Sequence, residues 1–406
     1  MLGVFPSLDG SMRQQPMPPQ IRLEASSFCQ LRCPSCPTTT GDIHPAVGSG
    51  FLRFDNFRQV VDENPSLRRL ELSNFGEVLL SPHLLKILEY ASAKGVAITL
   101  SNGINFNHAT DELLEALVKY RVREISCSID GASPETYRRY RVRGNFDNVI
   151  RHIERINHFK SEYRSKFPQL TWQFVVFGHN EHELPVAREM ATKLGMEFYP
   201  KIGWDQKFSP IRDAEFVRAQ TGERAVTREE YEELYGRQYL SSICHQLWDD
   251  PQINWNGKNL GCCRNFWGDF GGNAFTDGLR ACFNHEKMRY ARAMLHGRKP
   301  ARDDIPCSTC EIYLSMRRHS NWVERDSWRG RLRQPVSYAR HLVKAGITAV
   351  ALRISDDPQY WRNRAENARL LAATNGAVTK TKMMSGVAKS YEKIAKWLEE
   401  RADRRF

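Results

Sequence analysis

Three cysteines, Cys29, Cys33 and Cys36, form a C-x3-C-x2-C run inside residues 28–37. Three thiolates at this spacing on one loop can ligate three irons of a [4Fe–4S] cube and leave the fourth iron without a protein ligand, free to bind a substrate or cofactor. Ferredoxin runs use C-x2-C-x2-C-x3-C, and zinc sites pair one C-x2-C with another such pair, so neither fits a lone trio. Three unrelated buried thiols are the weaker reading. A second group follows: Cys244, then Cys262 at the end of a G-x4-C step from Gly257, then Cys307 and Cys310 as a C-x2-C. By spacing alone, four soft ligands of this kind suit zinc and iron–sulfur about equally.

Elements must bring these residues together. From residue 21 to about 199, short β-branched runs alternate with longer periodic segments, the pattern of parallel strands with crossover helices. Strands are expected at 21–25, 69–73, 96–101, 124–129, 171–177 and 196–199. Helices are expected at 82–94, 110–120, 146–159 and 182–194. This makes the chain α/β, an open (β/α)6 partial barrel followed by a smaller cysteine-rich domain and a helical C-terminal tail. Its chemistry belongs just beyond the carboxyl ends of the strands. The divisions read as an extension over 1–20, a core over 21–205, a linker over 206–243, a cysteine-rich unit over 244–322 and a basic region over 323–406. In the last, Val387, Tyr391, Ile394 and Leu398 make one helical stripe, that of a docked terminal helix.

A chain of 406 residues suits two to three folding units. A mean hydropathy of −0.55, with no apolar run of about 18 residues, excludes a membrane span, and no secretory signal is legible at the N-terminus, so the cytoplasm is expected. The formal charge is +12, and residues 331–406 hold 16 Lys and Arg against 7 Asp and Glu. That localisation reads first as a solvated helical face. Binding of nucleic acid by the tail is a remote alternative, because it lacks the interleaved aromatics of a stacking platform.

The trio and the segments after the expected strands resemble the radical S-adenosylmethionine (radical SAM) superfamily over roughly residues 21–310. The resemblance implies that Cys29, Cys33 and Cys36 hold a [4Fe–4S] cluster whose open iron chelates SAM, which is cleaved to methionine and a 5′-deoxyadenosyl radical. Ser73-Asn74-Phe75-Gly76-Glu77 is similar to the family segment that meets the SAM amino group, which makes Asn74, Gly76 and Glu77 cofactor-binding candidates. Ser101-Asn102-Gly103 is expected just after the third strand and Ser128-Ile129-Asp130-Gly131 at the end of the fourth. Ser101, Asn102 and Ser128 join the cofactor set, Asp130 is implied at the ribose hydroxyls and Arg141 at the SAM carboxylate. The family often has an aromatic residue before the third cysteine. Here it is Ser35, so adenine contacts are expected from backbone near Val176 or from the Asn180 side chain.

The G-x4-C step and late C-x2-C look like SPASM and twitch domains, which implies a second, auxiliary [4Fe–4S] cluster on Cys244, Cys262, Cys307 and Cys310. Nothing follows Cys310, as in the shorter twitch form. Cys127 is out of phase with Ser126, Ser128 and Asp130 and is expected outside the barrel. Cys263 and Cys282 read as packing thiols, or as hydrogen donors to a substrate radical of the kind some radical epimerases use. The resulting expectation is a radical SAM oxidoreductase of dehydrogenase type. It would abstract hydrogen from a small metabolite of sugar, aminocyclitol or nucleoside type, with the auxiliary cluster as electron acceptor and a flavodoxin or ferredoxin as electron donor. An epimerase, or a maturase acting on a peptide or protein, is the alternative.

Overall fold

Parallel strands packed on both faces usually read as continuous apolar runs, but here each strand alternates. In the computed structural model, which describes residues 14–45, 47–205, 207–324, 392 and 396, that alternation sorts polar side chains to one face of a parallel sheet. Its strands are β1 (Gln20–Leu23), β2 (Arg69–Glu71), β3 (Ala97–Ile104), β4 (Glu124–Ser128), β5 (Gln169–Val176) and β6 (Glu197–Ile202). They lie side by side in chain order, all parallel, and the sheet stays open. Register places Arg22 beside Glu71 and Glu71 beside Thr99, then Ser128 beside Gln173 and Val175 beside Lys201. Ile21, Leu70, Ile98, Ile125, Cys127, Trp172 and Phe174 fall on the opposite face, at 4% exposure or less. Cys127 is therefore a packing residue, and burial pushes its thiol up.

The helices Leu84–Ala93, Asp111–Lys119, Phe146–Glu162 and Leu184–Lys193 stand where periodicity puts them. Thr110 caps the second, its hydroxyl accepting from Leu113 N at 3.3 Å, and the Asn145 side chain caps the third. Two helices without an expectation, Phe54–Glu63 and Pro134–Tyr140, also form.

The described residues of 14–214 and 225–322 make one compact unit, and 215–224 belong to another. Within the first, the cysteine-rich region continues the barrel's own sheet. β7 (Gln252–Ile253) pairs parallel with β1, and β8 (Asn259–Gly261) pairs antiparallel with β7. The Arg22 side chain reinforces this seam, reaching Gln252 Oε1 at 3.1 Å and Asp250 at 3.6 Å. The stripe from Val387 to Leu398 lies outside the described residues.

Candidate active site and a second cysteine chamber

The cysteine run leaves the carboxyl end of β1. Cys36 N–H donates to Cys33 O at 3.1 Å, and Cys36 stands at the start of the single turn Pro37–Thr40. All three cysteines pack against one cluster that includes Leu31, Tyr140, Val175 and Phe177. Two polar groups address the sulfurs: Arg141 Nη1 lies 3.7 Å from Cys33 Sγ, and Asn105 Nδ2 lies 3.7 Å from Cys29 Sγ. Burial, the Glu77 carboxylate and the two sister thiols push Cys29 up to about 12, and burial also raises Cys33. A thiol so held needs a cationic centre to become a thiolate, which makes the site a fit for iron whose loading expels protons.

The segment after β2 is locked onto this loop. Glu77 N–H donates to Phe28 O at 2.7 Å and Thr38 Oγ1 to Phe75 O at 3.1 Å. A Cβ on Gly76 would lie 2.3 Å from Ser26 O, so only glycine lets the two segments approach this closely. The Glu77 carboxylate accepts from Leu79 N and, at 2.6 Å, from Asn105 N. Burial outweighs these bonds and pushes it up to about 7. Glu24, just past β1, is completely buried. One of its oxygens accepts from the amides of Phe75 and Gly76, and the Asn74 side chain lies beside its carboxylate. Burial pushes Glu24 up to about 8.

The second set lines a small separate cavity, with Cys244, Cys262, Cys307 and Cys310 beside Phe270, Tyr313 and other apolar groups. Cys244 comes from the turn Ser241–His245, Cys262 from the residue after β8, Cys307 from the turn Pro306–Thr309, and Cys310 starts the helix Glu311–His319. Burial and the charges of Cys310, Cys307 and Cys262 hold Cys244 far above an ordinary thiol value. Four mutually repelling thiolates fit a shared cationic body.

Residues 23–187 match the family model described as Radical SAM superfamily. The chain carries a radical SAM domain. It is 28% identical over 184 residues to the AdoMet-dependent heme synthase of Methanosarcina barkeri, covering 45% of this chain and 49% of that protein. It is 26% identical to the GTP 3′,8-cyclase of Desulforamulus reducens, over 33% of this chain and 41% of that one. The chain thus spans less than half the length of these curated relatives. The structure of Streptococcus suis SuiB bound to S-adenosylmethionine matches at TM-score 0.52 and 12% identity, over 73% of this chain and 71% of that one. The fold likeness therefore runs well beyond the family segment. A [4Fe–4S] cluster and S-adenosylmethionine are the cofactors that a radical SAM domain implies for residues 23–187.

Several expected cofactor residues are placed differently. Ser101, Asn102 and Gly103 do not follow the third strand; β3 runs to Ile104 and contains them, with a register shift against β4. The reason is Gly103, whose φ of +117° bends the strand without ending it, and whose missing Cβ leaves room for Ser128 Oγ. Asn102 Nδ2 donates to Asn74 Oδ1 at 3.1 Å, and Ser101 N–H donates to Glu71, so both brace the segment after β2. Asp130 is completely buried, with Oδ2 on Arg141 Nε at 2.6 Å and Oδ1 on Val175 N at 2.7 Å. This pairing aims Arg141. Asn180 is not free for adenine: its amide donates to Asp130 O and Val175 O, and its oxygen accepts from Phe177 N.

The two spare thiols part company. Cys282 is buried at 0% exposure beside Gly272 and Asp277, with burial raising it to about 12. Cys263 is half-buried, its backbone N–H donating to Gln246 Oε1, and its sulfur lies within electrostatic reach of Arg22 of β1 and Lys201 of β6.

Proposed function

We propose that this enzyme oxidises a small-metabolite substrate, using the trio Cys29, Cys33 and Cys36 for the cluster that binds SAM and Cys244, Cys262, Cys307 and Cys310 for an auxiliary [4Fe–4S] cluster. The single observation that carries this reading is the apolar four-thiol chamber, built in the same compact unit as the barrel and joined to it through β7. When bound, the first group supplies reductive cleavage of SAM and with it the power to abstract hydrogen, and the second accepts an electron.

The chain's own residues do the rest. Arg141, fixed by Asp130, places a positive charge beside Cys33 and favours its thiolate. Asn105, held by the Glu77 carboxylate, does the same at Cys29 with a neutral donor. Phe28, 43% exposed, and Trp204, 40% exposed, flank the run. Oxidation removes a hydrogen atom from the substrate, then one electron and one proton. Four protein ligands leave no vacant iron for substrate, which favours electron acceptance at the second set.

Cys263 supports a second reading, epimerisation, because its sulfur lies within electrostatic reach of Arg22 and Lys201 on the barrel strands while Cys282 is fully buried. There its S–H hydrogen would pass to the substrate radical, and the resulting thiyl would need one electron and one proton from the donor protein to reset. The names of the relatives do not choose a substrate: they concern heme, GTP and, in a mycofactocin maturase of Mycobacterium tuberculosis, a maturation reaction.

Anaerobic incubation of the reduced, reconstituted enzyme with candidate metabolites, followed by mass spectrometry, tests the proposal. A product lighter by two hydrogens with matching 5′-deoxyadenosine supports oxidation. Isomeric product carrying solvent deuterium at carbon replaces it with epimerisation.

A further inference from the structure

Two cations near the barrel mouth have no task in the reading above: Lys201 on β6, and Arg228 at the start of the helix Arg228–Tyr235. Lys201 pairs in register with Val175, whose amide is bonded to Asp130, so its amine leaves the strand near the Asp130–Arg141 pair. Arg228 is bracketed by two rings, its Cζ 5.7 Å from the centroid of Trp204 and 5.6 Å from that of Tyr239. The Trp204 indole N–H donates to Ser35 O at 3.2 Å, inside the cysteine run. Arg228 is therefore one aromatic ring away from the loop that presents Cys33 and Cys36.

The surrounding acids are already engaged. Asp130 is paired with Arg141 at 2.6 Å and Glu311 with Arg264 at 2.8 Å. Glu229, next in the chain, is exposed, and Cys263 is the remaining acidic group facing Lys201. Among the described residues no carboxylate lies within ion-pair distance of Lys201 or Arg228, and Arg228 Nε is buried without a hydrogen-bond partner. Burial and Arg228 push Lys201 down to about 8, while burial and Arg264 push Arg228 down to about 10. Two half-buried cations within electrostatic reach of each other, neither paired with a carboxylate, destabilise the site unless an anion joins them.

The geometry points to Lys201 and Arg228 as a clamp for an anionic group of the substrate, a carboxylate or a phosphate, seated beside the Trp204 and Tyr239 rings. The planar guanidinium offers paired donors and the lysine a point charge, a combination suited to either oxyanion. This inference rests on the small-metabolite reading and narrows it to anionic molecules.

Calorimetric titration of the full-length, reconstituted enzyme with inorganic phosphate and, separately, with acetate tests it, at an ionic strength fixed with chloride. Saturable binding of at least one is expected, weakened about tenfold by Lys201→Met and by Arg228→Met and retained by Lys201→Arg. SAM affinity, read by equilibrium dialysis, should be unchanged in all three variants. Binding of phosphate alone assigns a phosphate, and of acetate alone a carboxylate. The clamp is refuted if the wild type binds neither, or if the Met variants bind as well as the wild type. It is also refuted if they lose SAM affinity, because the cations would then serve the SAM carboxylate. These outcomes are read without turnover, so they leave oxidation standing, whereas an isomeric product with intact anion binding removes oxidation alone.

Discussion

The two cysteine sets differ in what surrounds the sulfur. In the run after β1, three thiols are addressed by a guanidinium and an amide, with Glu24, Glu77 and Asn74 close by. In the second chamber, four thiols line an apolar cavity with Phe270 and Tyr313. Polar partners and one ligand too few suit a centre that exchanges ligands, while an apolar wall and a full set suit one that exchanges only electrons.

The largest effect that could break this contrast comes from deleting thiols. The fully loaded enzyme should hold about eight irons and eight sulfides. Replacing Cys29, Cys33 and Cys36 together with Ala should leave about half of that iron and abolish 5′-deoxyadenosine, whereas Cys310→Ala should still form it yet fail to complete product. Tightly bound zinc in the second chamber beside only four irons would remove the contrast. So would formation of S-adenosylhomocysteine without deoxyadenosine, the mark of polar methyl transfer.

Next in size is the pair behind Cys33. Arg141→Gln leaves Asp130 buried and uncompensated, and should lower apoprotein stability by about 3–5 kcal/mol. Adding Asp130→Asn should recover much of that loss, and denaturant titration of both variants reads it. If Arg141 serves only packing, the double variant should keep the wild-type electron paramagnetic resonance spectrum of the first cluster; a shifted spectrum locates the guanidinium at the sulfur.

Much of this contrast is legible in the amino-acid sequence alone, and the parts that are not have physical causes. The six strands and four helices follow from periodicity, with β2, itself three residues long, legible through the alternating run 69–73 around it. β7 and β8, two and three residues long, carry no period, so the continuity of the barrel sheet into the cysteine-rich region has no sequence signal. Ser101-Asn102-Gly103 looks like a turn because glycine usually ends a strand, yet here it serves a bulge. Asn105, 76 residues from Cys29, and Lys201 become site residues only through register and crossover geometry. Glu24 carries one signal that could have found it: an acid placed directly after an apolar strand and before the cysteines.

Glu24 sharpens the comparison through pH. Its ordinary value is 4.5, and burial raises it to about 8 in the folded chain, so the folded state binds the proton more tightly. Stability from this source is present at low pH and lost as pH rises from about 4.5 through about 8. Glu77, at about 7, acts with the same sign. The melting temperature of the apoprotein should therefore fall across this window, and Glu24→Gln should flatten it above about pH 7 and roughly halve the slope below. An unchanged slope above pH 7 would mean that Glu24 is ionised and paired in solution.

The smallest effect concerns the two spare thiols. Cys282 is fully buried among residues of the cysteine-rich region, so Cys282→Ala removes packing and should lower stability by roughly 1 kcal/mol, with turnover kept. Cys263 is half-buried and within electrostatic reach of Arg22 and Lys201, so Cys263→Ala should leave stability nearly unchanged. Its effect on product then decides chemistry without a folding complication. Under oxidation no thiol hydrogen is needed, because the substrate radical loses an electron and a proton, and Cys263→Ala should turn over at close to the wild-type rate. If product disappears while 5′-deoxyadenosine persists, the Cys263 thiol is the hydrogen donor and oxidation gives way to epimerisation.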